Sequence, residues 1–442
     1  MVRALDLHSR GPRSDSGVAH QGLKAMERLE DIGFYTLSNA RAMSVGKNSP
    51  MWRGEIILLE ACNFKCPYCR GLREDCRGEM PYETAEEIIR IWCKDGLQNI
   101  RFSGGEPTLY PRLNDLVRLC KELRVVRIAI STNGSADFSV YKELIDSGVN
   151  DVSISLDACC SSVGRKMCGI EGAWEKVIEN IRKISALTYT TVGMVFTDSN
   201  MSQAAETIKL ADSLGVSDIR VISAAQNNGP VKDLENIPAD ILAKYPILRY
   251  RVNNAKQGRA MRGLTHKDYS RCPLVLDDSA VAGKYHFPCI IYLREQGNPI
   301  GEIGPDMRDE RVEWFKKHGC AADPICSKNC LDVCVDHKNK FAELRVKYSI
   351  PHLDSSLYDW LKWRSGSFAE MMGFPCRYES MTSPAGKKAL QKVAIGWCYA
   401  EELPCRPKDG QIAIMCFRKE DDHFWFHITK REFIEVFGEI SI

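Results

Sequence analysis

No long hydrophobic run occurs anywhere in this 442-residue sequence. Apolar side chains never approach the ~18–20 in succession that span a bilayer, and no early apolar stretch has the form of a secretion signal. The expected setting is soluble and cytoplasmic, with no membrane partner. Charge of one sign is equally scarce: 60 Lys and Arg stand against 58 Asp and Glu, a net charge of +2, so the balance points to no polyanionic partner. A disordered composition is missing too, with 44% hydrophobic and 27% charged residues. The residue in excess is cysteine. Nineteen of them without a secretion signal do not read as a disulfide framework, and clustered reduced thiols read as metal ligands.

The length is about three times that of an average domain, so two or three domains are expected. Residues 1–51 read as an N-terminal extension whose first 25 residues are disordered, or lie upstream of a true start at Met26. Strands are expected at Glu55–Ala61, Asn99–Gly104, Val125–Ser131, Asp151–Asp157, Thr190–Phe196 and Asp218–Ser223. Apolar faces at helical spacing separate them, such as Ala85, Ile88, Ile89 and Trp92. Six β-α repeats in residues 52–235 predict an α/β fold with a parallel sheet, open or closed as a barrel, and ligands at its carboxyl edge. Residues 236–270 read as a connector. From Leu248 to Arg271 it holds seven Lys or Arg and one acid, Asp268, and reads as a solvated linker or a grip for phosphate. A Cys-rich segment follows at 271–340. Residues 341–442 form a small α+β C-terminal region, with a β-hairpin around Asp421-Asp422 and a last helix opened by Thr429 and Glu432.

Cys62-Asn-Phe-Lys-Cys66-Pro-Tyr-Cys69 follows the first strand. Three thiolates on one loop can hold three irons of a cubane and leave the fourth open, the mark of a catalytic centre. The alternative is a zinc site completed by a remote ligand such as Cys76. After the second strand comes Ser103-Gly104-Gly105-Glu106-Pro107, whose glycines allow close backbone approach and whose Glu106 offers a carboxylate to an ammonium group. It also reads as a simple turn before a helix. Thr132 and Asn133 end the third strand and Ser155 the fourth. They can hydrogen-bond a ligand or cap helices. Among the remaining cysteines, Cys93 and Cys120 sit on apolar helix faces and read as core; Cys159-Cys160 can touch a substrate or pack.

These motifs, in order over roughly residues 52–225, resemble the radical S-adenosylmethionine (radical SAM) superfamily. The resemblance implies a partial (β/α)6 barrel and a [4Fe-4S] cluster on Cys62, Cys66 and Cys69. Its open iron chelates SAM, which one electron splits to methionine and a 5′-deoxyadenosyl radical that abstracts hydrogen from substrate. It places Tyr68 near the adenine and Gly104, Gly105, Glu106 and Pro107 at the SAM amino group. By resemblance to the GTP cyclase of molybdenum-cofactor synthesis, Thr132, Asn133 and Ser155 face SAM or substrate. The chain ends without that cyclase's Gly-Gly tail, which argues against molybdenum-cofactor synthesis itself.

Cys272, Gly283 and Cys289, followed by Cys320-x5-Cys326-x3-Cys330-x3-Cys334, are similar to the SPASM/twitch extension of these enzymes. The match departs at two places: five residues separate Gly283 from Cys289 instead of four, and Lys317 replaces an expected cysteine. One auxiliary [4Fe-4S] cluster is implied, with Cys272, Cys289 and Cys330 its foremost ligands. Two clusters need open sites or non-Cys ligands, and a zinc knot on Cys320, Cys326, Cys330 and Cys334 is the structural alternative. The expected function is a radical SAM enzyme acting on a peptide or protein side chain, with an external one-electron donor such as flavodoxin or ferredoxin. A nucleotide or RNA substrate is the alternative, and a non-catalytic metal-binding module the remote one.

Overall fold

The computed structural model describes residues 41–42, 45–225, 234, 236–347, 411–419 and 422–429. Those from 50 to 339 form one unit; the described residues before 50 and from 340 onward belong to another.

The first unit alternates as its hydrophobic pattern predicts: β1 (Arg53–Ile57), α1 (Tyr82–Lys94), β2 (Asn99–Ser103), α2 (Leu113–Glu122), β3 (Arg127–Thr132), α3 (Phe138–Ser147) and β4 (Asp151–Ser155). Next come α4 (Ser161–Cys168), α5 (Ala173–Ser185), β5 (Tyr189–Phe196), α6 (Ala204–Ser213) and β6 (Asp218–Ser223). The strands pair in parallel in simple sequential order. Each helix turns one apolar stripe inward. On α1 it is Ala85, Ile88, Ile89 and Trp92, all fully buried. Each such large side chain contributes about 1.5–3 kcal/mol of apolar burial. β1 ends at Ile57 instead of Ala61, because Leu58 to Ala61 leave the ladder to serve the loops beside them. The Leu59 carbonyl accepts from Gly105 N (2.7 Å) and the Ala61 carbonyl from Glu106 N (2.9 Å).

The sheet does not stop at residue 223. After α7 (Ala239–Lys244) and α8 (Pro246–Lys256), β7 (Asp278–Ala282) pairs in parallel with β1, Arg53 opposite Asp278 through Ile57 opposite Ala282. β8 (Tyr285–Phe287) and β9 (Gly301–Glu302) extend that edge antiparallel, giving the strand order 6-5-4-3-2-1-7-8-9. Short helices α9 (Ile290–Arg294), α10 (Met307–Lys317) and α11 (Pro324–Asn329) and the longer α12 (Asp332–Lys347) complete the Cys-rich segment.

The basic stretch expected as a connector forms α8 and the chain after it, and its arginines are engaged with protein groups. Arg251 pairs with buried Asp332, and Arg259 Nη2 lies 2.6 Å from Asp336 Oδ1. Arg262 donates to the Ser223 carbonyl (3.1 Å), and Arg271 to those of Phe315 and His318.

In the second unit β10 (Gln411–Lys419) and β11 (Asp422–Thr429) form the expected antiparallel hairpin, with Ile412 opposite Ile428 and Ile414 opposite Phe426. The expected last helix lies outside the described residues, as do Cys376, Cys398 and Cys405.

Candidate functional site

At the carboxyl edge of β1–β4 a cavity of about 250 Å³ opens. Cys62, Cys66 and Cys69 line it together with Tyr68, Gly104, Gly105, Thr132, Asn133 and Ser155. Cys76 does not join them; it is buried in a separate apolar cluster with Ile57, Leu72 and Ala280.

The loop carrying the three thiols is held from three sides. Asn133 Nδ2 donates to Asn63 Oδ1 (2.7 Å), and Asn63 Nδ2 to Ser135 Oγ (2.8 Å), fastening it to the chain after β3. The Tyr68 hydroxyl donates to Asp157, just past β4, whose second oxygen accepts from Val195 N (2.6 Å). Lys65 N donates to the carbonyl of Cys168, the last residue of α4 (2.8 Å). Burial pushes the Cys66 thiol up to about 12 and Asp157 up to about 6, the latter against its two hydrogen bonds.

The Gly104-Gly105 turn lies directly on the exit of β1. A Cβ on Gly105 would stand 2.1 Å from the Ala61 carbonyl oxygen and 2.3 Å from that of Glu60. Gly104 has φ +153°, and its Cβ would stand 2.6 Å from the Leu59 oxygen. Both glycines are thus required by backbone approach to the thiol loop, where the sequence suggested approach to a ligand.

Glu106 and Pro107 do not reach the cavity. Glu106 is fully buried, and its carboxylate accepts four hydrogen bonds. Oε1 takes Thr108 N (3.1 Å), Thr108 Oγ1 (2.6 Å) and Thr132 Oγ1 (2.7 Å), while Oε2 takes Asn133 N (2.7 Å). Burial raises its pKa and these bonds oppose the rise. Pro107 opens the short turn Pro107–Leu109 that Glu106 caps. Thr132, Asn133 and Ser155 are not helix caps: Asp137 precedes α3 and Cys160 precedes α4.

Sequence reasoning missed the far wall, which comes from Asp157, Ala158, Met167, Cys168, Trp174 and Val177. The only signal for α4 was the spacing of Val163 and Met167. Cys159 and Cys160 stay off the cavity; Cys159 Sγ contacts Gln203 Oε1 (3.3 Å), and Cys160 packs on a cluster of Ala158, Val163 and Met167. Cys120 is fully buried and Cys93 packs against the same core, as expected.

A second cavity of about 330 Å³ also touches Ser155, and all six downstream thiols line it: Cys272, Cys289, Cys320, Cys326, Cys330 and Cys334. Cys272 disfavours ionisation of Cys289, Cys326, Cys330 and Cys334, and burial pushes Cys334 up to about 12. Among them stands the Lys338 ammonium, 1% exposed, with no hydrogen-bond partner among the described residues. Its charge favours ionised Cys272, Cys320 and Cys330. A buried cation without a partner beside a set of thiols is suited to an anionic metal–thiolate group.

Residues 56–211, which hold the first cavity's three thiols and both glycines, match the family model of the radical SAM superfamily, so this part of the chain is a radical SAM domain. The chain is similar to the "Probable GTP 3′,8-cyclase" of Saccharolobus solfataricus, 30% identical over 172 residues, 38% of this chain and 55% of the relative. A protein of the same name from Pyrococcus abyssi is 32% identical over 143 residues, 32% of this chain and 45% of the relative. The chain thus spans about half the length of the curated relatives it matches. Among solved structures it is similar to Streptococcus suis SuiB bound to S-adenosylmethionine, at 19% identity and TM-score 0.45, covering 64% of this chain and 72% of that one. Among the described residues no helix is long and apolar enough to cross a membrane.

Proposed function

We propose that this chain is a radical SAM enzyme in which Cys62, Cys66 and Cys69 hold a [4Fe-4S] cluster beside SAM. The observation that carries the reading is the convergence of three thiols from one loop on a cavity also lined by Gly104, Gly105, Thr132, Asn133 and Ser155. When bound, the cluster supplies the electron that splits SAM into methionine and a 5′-deoxyadenosyl radical. The protein's own part is positioning. Glu106 and Pro107 act from behind the cavity, with Glu106 fixing Thr132 and the Asn133 backbone. Tyr68 and Asp157 tie the thiol loop to β4. Met167, Trp174 and Val177 offer an apolar wall that excludes water.

As substrate we infer a peptide or protein side chain, handled in the second cavity beside one auxiliary [4Fe-4S] cluster in a SPASM/twitch-like segment. The thiols of that cavity and its contact with Ser155 support this. A nucleotide is the second reading, favoured by Arg53, Arg101 and Arg220 among the residues lining the same cavity, of which Arg53 already pairs with Asp278 and Arg220 with Asp218. The relatives' printed name, which contains GTP, agrees with it. An external one-electron donor of the flavodoxin or ferredoxin class completes the set.

The test is anaerobic reconstitution of the full chain with iron and sulfide, then dithionite and SAM. Equimolar 5′-deoxyadenosine and methionine are expected, and iron-loaded protein that forms neither would overturn the enzyme reading. If GTP or another nucleotide raises the 5′-deoxyadenosine rate about tenfold or more, the nucleotide reading replaces the peptide one.

A further inference from the structure

We propose that His318, Cys320 and Cys326 bind a single divalent ion of the zinc class, distinct from the auxiliary cluster. The His318 ring nitrogen and the two sulfurs lie within 4.8 Å of one another, with His318 Nε2 3.8 Å from Cys326 Sγ. Ligands of one tetrahedral zinc ion, at about 2.3 Å for sulfur and 2.0–2.1 Å for nitrogen, stand about 3.5–3.8 Å apart. A cubane spreads its ligands over separate irons and sets them further apart. A spacing below 4.8 Å is nearer that of a mononuclear site than of a cubane, and binding would complete it by a contraction of up to about 1 Å.

The three ligands are held before any ion arrives. His318 stacks on Trp314, with ring centroids 3.9 Å apart and planes at 15°, and meets the Tyr292 ring edge-on. Cys320 N donates to the Ser270 carbonyl (2.7 Å). Cys326 N donates to Asp323 Oδ1 (2.8 Å), which also accepts from Ile325 N at the start of α11. Asp323 Oδ2, which accepts from the Tyr292 hydroxyl, lies 3.5 Å from His318 Nε2, and the fourth position is left to a water. Lys317 stands where the SPASM/twitch pattern has a cysteine, and the imidazole one residue later faces the two thiols that remain. Cys320 and Cys272 line the same cavity, so this group abuts the other four, which suffice for one [4Fe-4S] cluster. Binding displaces two thiol protons and changes no oxidation state.

The proposal rests on the preceding reading only in leaving Cys272, Cys289, Cys330 and Cys334 to a cluster, and its test reads a different metal. The full chain, loaded with iron and sulfide and desalted, is titrated with Co2+. One equivalent is expected, with the sulfur-to-cobalt absorption of a tetrahedral site, and His318→Ala should weaken it at least tenfold at unchanged iron content. His318→Cys, which supplies a third thiolate, should retain uptake and strengthen that absorption. Cobalt uptake indifferent to His318→Ala overturns the proposal. So does no uptake together with about four irons that depend on Cys320 and Cys326. If His318→Ala also loses iron, His318→Cys decides: failure to take up cobalt there counts against the site.

Discussion

Glu106 shows how a residue of the right type can serve the site from behind it. A carboxylate at a ligand-binding edge suggests direct contact, yet all four of its hydrogen bonds go to protein donors on two loops. Glu106→Gln keeps size and removes charge, but an amide cannot accept at both ends. Either orientation turns an N–H toward a donor, with a cost of about 1–3 kcal/mol for the unsatisfied pair. The expected result is a lower thermal midpoint of the metal-free protein and weaker SAM binding by calorimetry, with the iron content of the first cluster kept. Unchanged stability would mean that the carboxylate is not braced as described.

At the scale of elements, the Cys-rich segment is fastened to the sheet by β7 on β1 and by α8 on α12. The second joint is a buried ion pair: Arg251 with Asp332, which also accepts from Asn254 Nδ2 (2.7 Å). Removing one partner of a buried pair strands the other charge, so Arg251→Leu should cost about 3–5 kcal/mol in denaturant unfolding of the metal-free chain. Arg259→Ala breaks a pair about one-third exposed, and solvent screening holds its cost to about 0–1 kcal/mol. Equal losses from the two substitutions would contradict this ranking.

For the whole molecule, two sets of thiols line two cavities, and the proposed function assigns one iron–sulfur cluster to each. The variant with Cys62, Cys66 and Cys69 all changed to Ala, reconstituted without oxygen, should retain about four irons per chain and form no 5′-deoxyadenosine. About eight would place a second auxiliary cluster where His318, Cys320 and Cys326 stand. Loss of all iron would leave the downstream thiols without a cluster and remove the main support for the peptide substrate.

The alternation of short apolar runs with amphipathic stripes determined the six parallel strands, since burial on both faces of a strand and one face of a helix leaves a periodic trace. That Cys62, Cys66 and Cys69 gather at one cavity was legible because their spacing is local, and the Gly104-Gly105 turn because its glycines are adjacent. What lies between distant segments was not. β7 carries Asp278 and Ser279 in a fully buried strand, tolerated because Arg53 and Arg311 reach them. The seven cations between Leu248 and Arg271 read as a solvated run, yet four arginines among them bond to protein groups far along the chain. Only tertiary structure turned Glu106 inward, and only it brought His318 beside Cys320 and Cys326. A side chain's direction depends on which partners the fold brings within hydrogen-bond reach, and one chain's spacing does not encode that.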